Sequence, residues 1–320
     1  MPASLFTATV IAVIWDFDQT LIPGYQQEPL FAAYGIDPKA FWGEVNALQK
    51  YYAARKLVVT QDTLYLNHIL TYVKDGHMAG LTNAALYKLG SKLNFYPGIP
   101  EFLDQSRQQI KDDKRFSAHG ISVEHYVVST GLRQMILGSA VAEHVDGVWA
   151  SEFIEEPASR GFLQEKTGKL GLDEHEVTQV GYFIDNTSKT RAIFEINKGT
   201  NKVPDIEVNA TIAPEDRRVP FRNMLYVADG ASDIPVFSIL NSMGGRTLGV
   251  YNPDQEEHFK NVKQLQDQGR VQHFSEADYR PGRNASRWIL ATLDEIGRAI
   301  VEDREKLLRE KVHPSVGHVS

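Results

Sequence analysis

Four short apolar runs, rich in β-branched and aromatic residues and each cut off by one polar residue, constrain this chain more than any other feature. Val10-Ile11-Ala12-Val13-Ile14-Trp15 ends at Asp16, and His125-Tyr126-Val127-Val128 ends at Ser129. Val180-Gly181-Tyr182-Phe183-Ile184 ends at Asp185, and Met224-Leu225-Tyr226-Val227-Ala228 ends at Asp229. An unbroken apolar run is how a strand covered on both faces of a parallel sheet reads. Open parallel sheets bind ligands beyond the carboxyl ends of their strands, so the four polar residues are expected along one rim, with the chemistry among them. Thr247 to Tyr251 is a fifth strand candidate after the helical stretch Ile234 to Leu240, an order that predicts right-handed crossovers.

Between Pro29 and Leu93 the period changes to that of a helix, with Phe41, Val45 and Leu48 on one face and Leu64, Leu66, Ile69, Leu70 and Val73 on another. Breaks at Gly35-Ile36-Asp37-Pro38, around Thr60, and from Gly76 to Thr82 divide it into about four helices. The expected fold class is therefore α/β: a Rossmann-like parallel-sheet core over residues 1–22 and 94–320, with a second, smaller all-helical domain over 23–93. Asp146 to Lys169, with Gly147, Gly161 and Gly168 as turns, reads as a hairpin beside the sheet, and Lys198 to Pro220 as an irregular surface excursion or a small hairpin. A charged amphipathic helix is expected from Asn284 to about Lys311, with a fraying tail from His313.

Composition narrows the function classes. A length of 320 residues accommodates about two domains, and 42% apolar residues suffice for a core in each. The net charge of −7 argues against nucleic-acid or membrane-surface partners, which need a basic face. With no cysteine, there are no disulfides, thiolate metal sites or cysteine nucleophiles, so carboxylates, histidines and hydroxyls carry any chemistry. The ten histidines show no ligand spacing, and His68 reads as a packing or surface residue. Thr9 to Trp15 is too short to span a bilayer or direct secretion, and a cytoplasmic protein is expected.

The strand ends carry four constellations. Asp16-Phe17-Asp18-Gln19-Thr20 places two carboxylates two residues apart, one able to attack phosphorus and the other to shuttle a proton, although a turn or capping cluster reads the same way. Ser129-Thr130-Gly131 offers a hydroxyl and amides to phosphate oxygens, or simply starts a helix. Lys189 opens a helix after a strand and could neutralise a nucleophile and a transferring phosphoryl group. Asp229-Gly230-Ala231-Ser232-Asp233 adds further carboxylates, which together with Asp16 would repel one another unless a cation sat among them; hard oxygen ligands suit magnesium.

Taken in order, these four motifs resemble those of the haloacid dehalogenase-like superfamily, over about residues 8–20 and 95–275, with the helical insertion placed like that superfamily's cap. The resemblance implies a magnesium-dependent phosphatase acting on a small phosphomonoester. Asp16 would be the nucleophile that becomes aspartyl-phosphate, and Asp18 the acid/base, an acid that the superfamily's dehalogenases lack. Ser129, the Thr130 or Gly131 amide, and Lys189 would hold the phosphate. Asp16, a backbone carbonyl at Phe17 or Asp18, Asp229 and Asp233 would hold the metal. A phosphotransferase or mutase of the same superfamily, or an inactive binding protein on its scaffold, are the alternatives.

Three departures from the pattern bear on this. The 39 residues between Lys189 and Asp229 make a long gap, so either 197–222 is an insertion or Lys198 is the motif lysine; Lys189 is preferred because it opens a helix. Ser232 stands where the phosphoserine-phosphatase-like branch often has Asn, and Tyr25 where that branch has a substrate-reading Glu, so phosphoserine is not expected.

Overall fold

The computed structural model describes residues 8–158, 160–161, 175–203, 205–213 and 216–312. In chain order the elements are β1 (Val10–Trp15), α1 (Glu28–Tyr34), α2 (Pro38–Ala53), α3 (Gln61–Lys74), α4 (Asn83–Gly90), α5 (Glu101–Asp112), α6 (Lys114–Ser117), β2 (Ser122–Leu132) and α7 (Arg133–Leu137). They continue with β3 (Gly147–Ile154), β4 (Gln179–Tyr182), α8 (Lys189–Lys198), β5 (Met224–Ala228), α9 (Ile234–Ser242), β6 (Arg246–Tyr251), α10 (Glu256–Asp267), β7 (His273–Glu276) and α11 (Asn284–Val312).

Seven strands form one sheet in the order β4-β3-β2-β1-β5-β6-β7, parallel throughout except for β4, which runs antiparallel to β3. β1 lies between β2 and β5, the point where the chain stops building to one side and starts on the other, so the crevice at the end of β1 is where a ligand is expected. Successive side chains of a strand point to opposite faces, and in β1 both faces are covered. Ile11, Val13 and Trp15 pack with Phe102, Ile289 and Leu293 on one side. Ala12 and Ile14 pack with Ile193, Val236 and Phe237 on the other. Each such apolar side chain contributes roughly 1.5–3 kcal/mol through burial, which is why the run contains no polar residue until it leaves the sheet. Ala285, Ile289, Leu293, Ile296 and Ile300, spaced three or four residues apart, seat α11 on the first of these layers.

Four helices occupy the 28–90 stretch as the breaks predict, and their starts have a local cause. Asp37, Thr60 and Thr82 each accept a hydrogen bond from a backbone N–H in the first turn of α2, α3 and α4. Leu30, Phe41, Val45, Leu66 and Ile69 form their shared core, which continues into Met135 of α7 and Phe153 of β3.

Three sequence expectations need correction. Residues 180–184 do not form a strand buried on both faces: β4 is an antiparallel edge strand, with Tyr182 and Phe183 about two-fifths exposed and only Ile184 buried. The Ser129-Thr130-Gly131 stretch does not follow a strand but lies inside β2, where the pairing with β3 becomes irregular between Val128 and Leu132. The first arm expected of a 146–169 hairpin is β3, a strand of the main sheet; residues 162–169 lie outside the described residues. The described residues of 199–220 are irregular as expected, and β7 is a strand the sequence reading did not contain. No helix among the described residues is long and apolar enough to cross a membrane.

Candidate active site

Beyond Trp15 the chain keeps one more sheet contact, Asp16 N–H donating to Val227 O, and then curls. The Phe17 carbonyl accepts from the amides of Thr20, Leu21 and Ile22, and Gln19 takes a left-handed φ of 58°. The curl turns both acids of the first motif toward one cavity of about 460 Å³, which Asp16 and Asp18 line together with Lys189 and Asp229. The Phe17 carbonyl is thus engaged inside the loop by three backbone amides.

Lys189 is the electrostatic centre. Asp185 carboxylate oxygen accepts from the amides of Thr187 and Ser188, tightening the turn that starts α8, and Lys189 follows at the first position of that helix. Its Nζ donates to Asp16 Oδ1 and to Asp233 Oδ1, both at 2.7 Å, with all three groups buried. Burial opposes the charge on Lys189, but the carboxylates of Asp16 and Asp233 outweigh it and raise the pKa. Asp233 is fixed at both oxygens: Tyr226 Oη donates to Oδ1 at 2.5 Å and Ser232 Oγ to Oδ2 at 2.8 Å.

One lysine does not balance this many acids. Asp16, Asp229 and Asp233 each bring a ligand atom within 4.8 Å of the others. Burial pushes Asp16 up to about 6 against the pull of Lys189. Burial and the neighbouring Asp16 push Asp18 up to about 7. Asp229 is raised well above the ordinary carboxylate range, by burial first and then by Asp16 and Asp233. The cluster as it stands therefore holds surplus negative charge that protons or a cation must offset.

The second motif is reached through a residue that the sequence reading missed. Gln26 donates from its backbone N–H to Asp18 Oδ1 at 2.9 Å and from Nε2 to Ser129 Oγ at 3.3 Å, and its Oε1 accepts from Leu132 N–H at 2.7 Å. A side chain at position 131 would meet Gln26 Nε2 at 1.8 Å, so glycine is needed there for close approach rather than for an unusual φ. The Gly131 N–H donates to Ser129 Oγ at 3.0 Å, and of the Ser-Thr-Gly triplet only Thr130 lines the cavity. Lys198, the alternative motif lysine, lies elsewhere: its Nζ donates to the carbonyls of Val208 and Ala210 and holds the irregular stretch to the end of α8. Trp42, Asn46, Gln61, Asp62 and Tyr65 of α2 and α3 complete the cavity wall, and Tyr65 Oη donates to Thr130 O at 2.7 Å. Arg55 lies over the ring of Tyr51, and neither residue nor Tyr52 lines this cavity.

Three of the four sequence motifs that resemble those of the haloacid dehalogenase-like superfamily thus meet at the rim of one mostly parallel sheet, around a buried lysine. The chain belongs to one family with a Borreliella burgdorferi protein described as uncharacterized, to which it is 39% identical over 285 residues, covering 88% of this chain and 95% of that one. No protein-family model matches the chain. Among solved structures it is similar to a HAD-family hydrolase of Salmonella enterica serovar Typhi, at 13% identity and a TM-score of 0.47, covering 85% of this chain and 68% of that one. It is also similar to a probable phosphoserine phosphatase of Vibrio cholerae, at 12% identity and a TM-score of 0.48, covering 92% of this chain and 68% of that one. A third such structure is a putative beta-phosphoglucomutase of Thermotoga maritima, at 12% identity and a TM-score of 0.39, covering 89% and 99% respectively.

Proposed function

We propose that the protein is a magnesium-dependent phosphatase that hydrolyses a small phosphomonoester through an aspartyl-phosphate, with residues 23–93 acting as a cap over the site. The observation that carries this reading is the pairing of Lys189 with Asp16 and Asp233 beside Asp18 and Asp229 in one cavity. Lys189 holds and aligns Asp16 and lowers its pKa against burial, while burial and the Asp16 carboxylate push Asp18 up to about 7, where it can hold a proton near neutral pH.

A hard, all-oxygen donor set with surplus negative charge fits magnesium. Asp16, Asp229 and the Asp18 carbonyl are its proposed ligands, with Asp233, already held at both oxygens, orienting Lys189 beside them. When bound, the ion would neutralise charge on the phosphoryl oxygens and orient them. The Asp16 oxygen forms a bond to phosphorus as the ester O–P bond breaks, and Asp18 gives its proton to the departing alcohol oxygen. In the second half Asp18 takes a proton from water, the water oxygen bonds to phosphorus, and the Asp16–phosphorus bond breaks. Inorganic phosphate leaves with Asp16 again ionised and Asp18 again protonated. Thr130 and Lys189 are the proposed phosphate contacts from the cavity wall, supported from behind by Ser129 and Gly131.

A panel of phosphate esters that includes p-nitrophenyl phosphate, assayed with and without magnesium, tests the reading. Metal-dependent release of inorganic phosphate is expected; a purified protein that hydrolysed none of them would overturn it.

A further inference from the structure

The cavity extends past the carboxylate cluster to a wall whose chemistry is one-sided. Asp62, in the first turn of α3, lines it, and in that position an acid also serves the helix N-terminus. What sets Asp62 apart is its surroundings: it has no ion-pair partner among the described residues, and the charge that acts on it most is the like charge of Asp185. Burial, reinforced by Asp185 and only weakly relieved by Lys189, raises its pKa. Among the described residues lining the cavity Lys189 is the one cation, and two carboxylates already hold it.

Two further observations point the same way. Gln27 is 4% exposed, lines the cavity, and its Oε1 is buried with no hydrogen-bond partner, an acceptor left without a donor. Trp42 and Tyr65, with ring centroids 5.7 Å apart, supply aromatic surface in the same wall. A carboxylate, an unsatisfied amide oxygen and aromatic rings are together what an ammonium group requires: opposite charge, an acceptor for its N–H, and π-faces. The same wall repels a carboxylate or a second phosphate, since it has no free cation to receive one.

Resting on the phosphatase reading, we infer that the ester this site prefers is that of an amino alcohol, its ammonium group seated between Asp62 and Gln27 and its phosphate at Asp16. An amino-acid phosphate fits less well, because its carboxylate finds no partner here.

The test uses a matched set of esters that differ only at the far end: 2-aminoethyl phosphate, 2-hydroxyethyl phosphate and phosphoglycolate, with choline phosphate as a cation lacking N–H donors and p-nitrophenyl phosphate as a generic ester. The expected kcat/KM for 2-aminoethyl phosphate exceeds that for 2-hydroxyethyl phosphate by ~10-fold or more, equivalent to about 1.4 kcal/mol, with phosphoglycolate the poorest. Asp62→Asn is expected to bring the aminoethyl-to-hydroxyethyl ratio close to unity, mainly through KM. Choline phosphate turned over as well as 2-aminoethyl phosphate would keep the charge requirement but overturn the role of Gln27 Oε1. Equal rates for the amino and hydroxy esters in the wild type would overturn the inference whether or not the Asp62 variant folds. If p-nitrophenyl phosphate is hydrolysed in that case, only the inference fails; if no ester is hydrolysed, the phosphatase reading fails first.

Discussion

The two walls of the cavity are built on different principles. The rim wall consists of buried residues beyond the strand ends: Asp16 is 5% exposed, Lys189 1% and Asp233 0%, and the lysine and Asp233 are hydrogen-bonded at every charged atom described above. The helical wall is drawn from α2 and α3, where Asn46 and Gln61 are exposed and pair with each other at 3.0 Å, and Asp62 is only part-buried. Position is over-determined on the first wall and loosely set on the second. A reaction that needs sub-ångström alignment belongs on the rigid wall, whereas discrimination among leaving groups tolerates the softer one.

The largest expected effect falls on the rim. Asp16→Asn removes the proposed nucleophile while keeping its shape, and turnover of any accepted ester should drop by at least ~10³-fold. Wild-type turnover in steady-state assays of that variant would break the assignment of chemistry to this wall.

Next come the two lysines. Lys189→Met leaves Asp16 and Asp233 buried without their cation, which should cost about 3–5 kcal/mol of stability along with activity, read by urea unfolding and phosphate release. Lys198→Met unpins an irregular segment from two carbonyls and should cost no more than about 1–2 kcal/mol with turnover retained. Reversal of that order would transfer the central role from one lysine to the other.

A pH experiment sharpens the electrostatic side of the comparison. Burial holds Asp16 at about 6 and Asp18 at about 7, above the ~3.9 of an unfolded aspartate. Between about pH 4 and pH 7 the folded metal-free protein therefore binds more protons than the unfolded chain. The stability contributed by these groups is complete below the unfolded pKa and is lost as pH rises through the folded values. A cation that binds the ionised carboxylates opposes that loss, so the rise in Tm on adding magnesium should be larger at pH 8 than at pH 5.5. Equal shifts in thermal melts at the two values would show that the acids do not bind the ion.

The smallest effect is expected on the helical wall. Tyr65→Phe deletes one hydrogen bond to Thr130 O, worth about 0.5–1.5 kcal/mol, and should raise KM more than it lowers kcat. A loss in kcat comparable with that of Asp16→Asn would dissolve the distinction between the two walls.

How far the sequence revealed this depends on what each residue's role rests on. The positions of Asp16 and Asp229 were readable because burial on both faces forces an apolar run, and the run's end marks the rim. Residues 180–184 have the same apolar look yet lie at an edge, since aromatic and β-branched residues suit an exposed edge strand as well as a buried one. Lys189 could be separated from Lys198 by its place at a helix start, whereas its pairing with Asp233, 44 residues on, left no mark in the sequence. Gln26 and Gln27 carried no signal: glutamine belongs to no motif here, and Gln26 acts on a serine 103 residues away. His273-Phe-Ser-Glu276 was unreadable as β7 because three of its four residues are polar or charged in a strand buried at Ser275.

The contact between Gln26 and Gly131 ties two distant parts of the molecule into one mechanical piece. Gln26 sits where the chain leaves the sheet for α1, and its side chain fills the space that a methyl group at 131 would take. Any swing of the helices about that exit must either carry the end of β2 along or pull the amide out of its slot. The seat proposed for the phosphate is thereby geared to the helices above it, so that filling one and settling the other become a single movement.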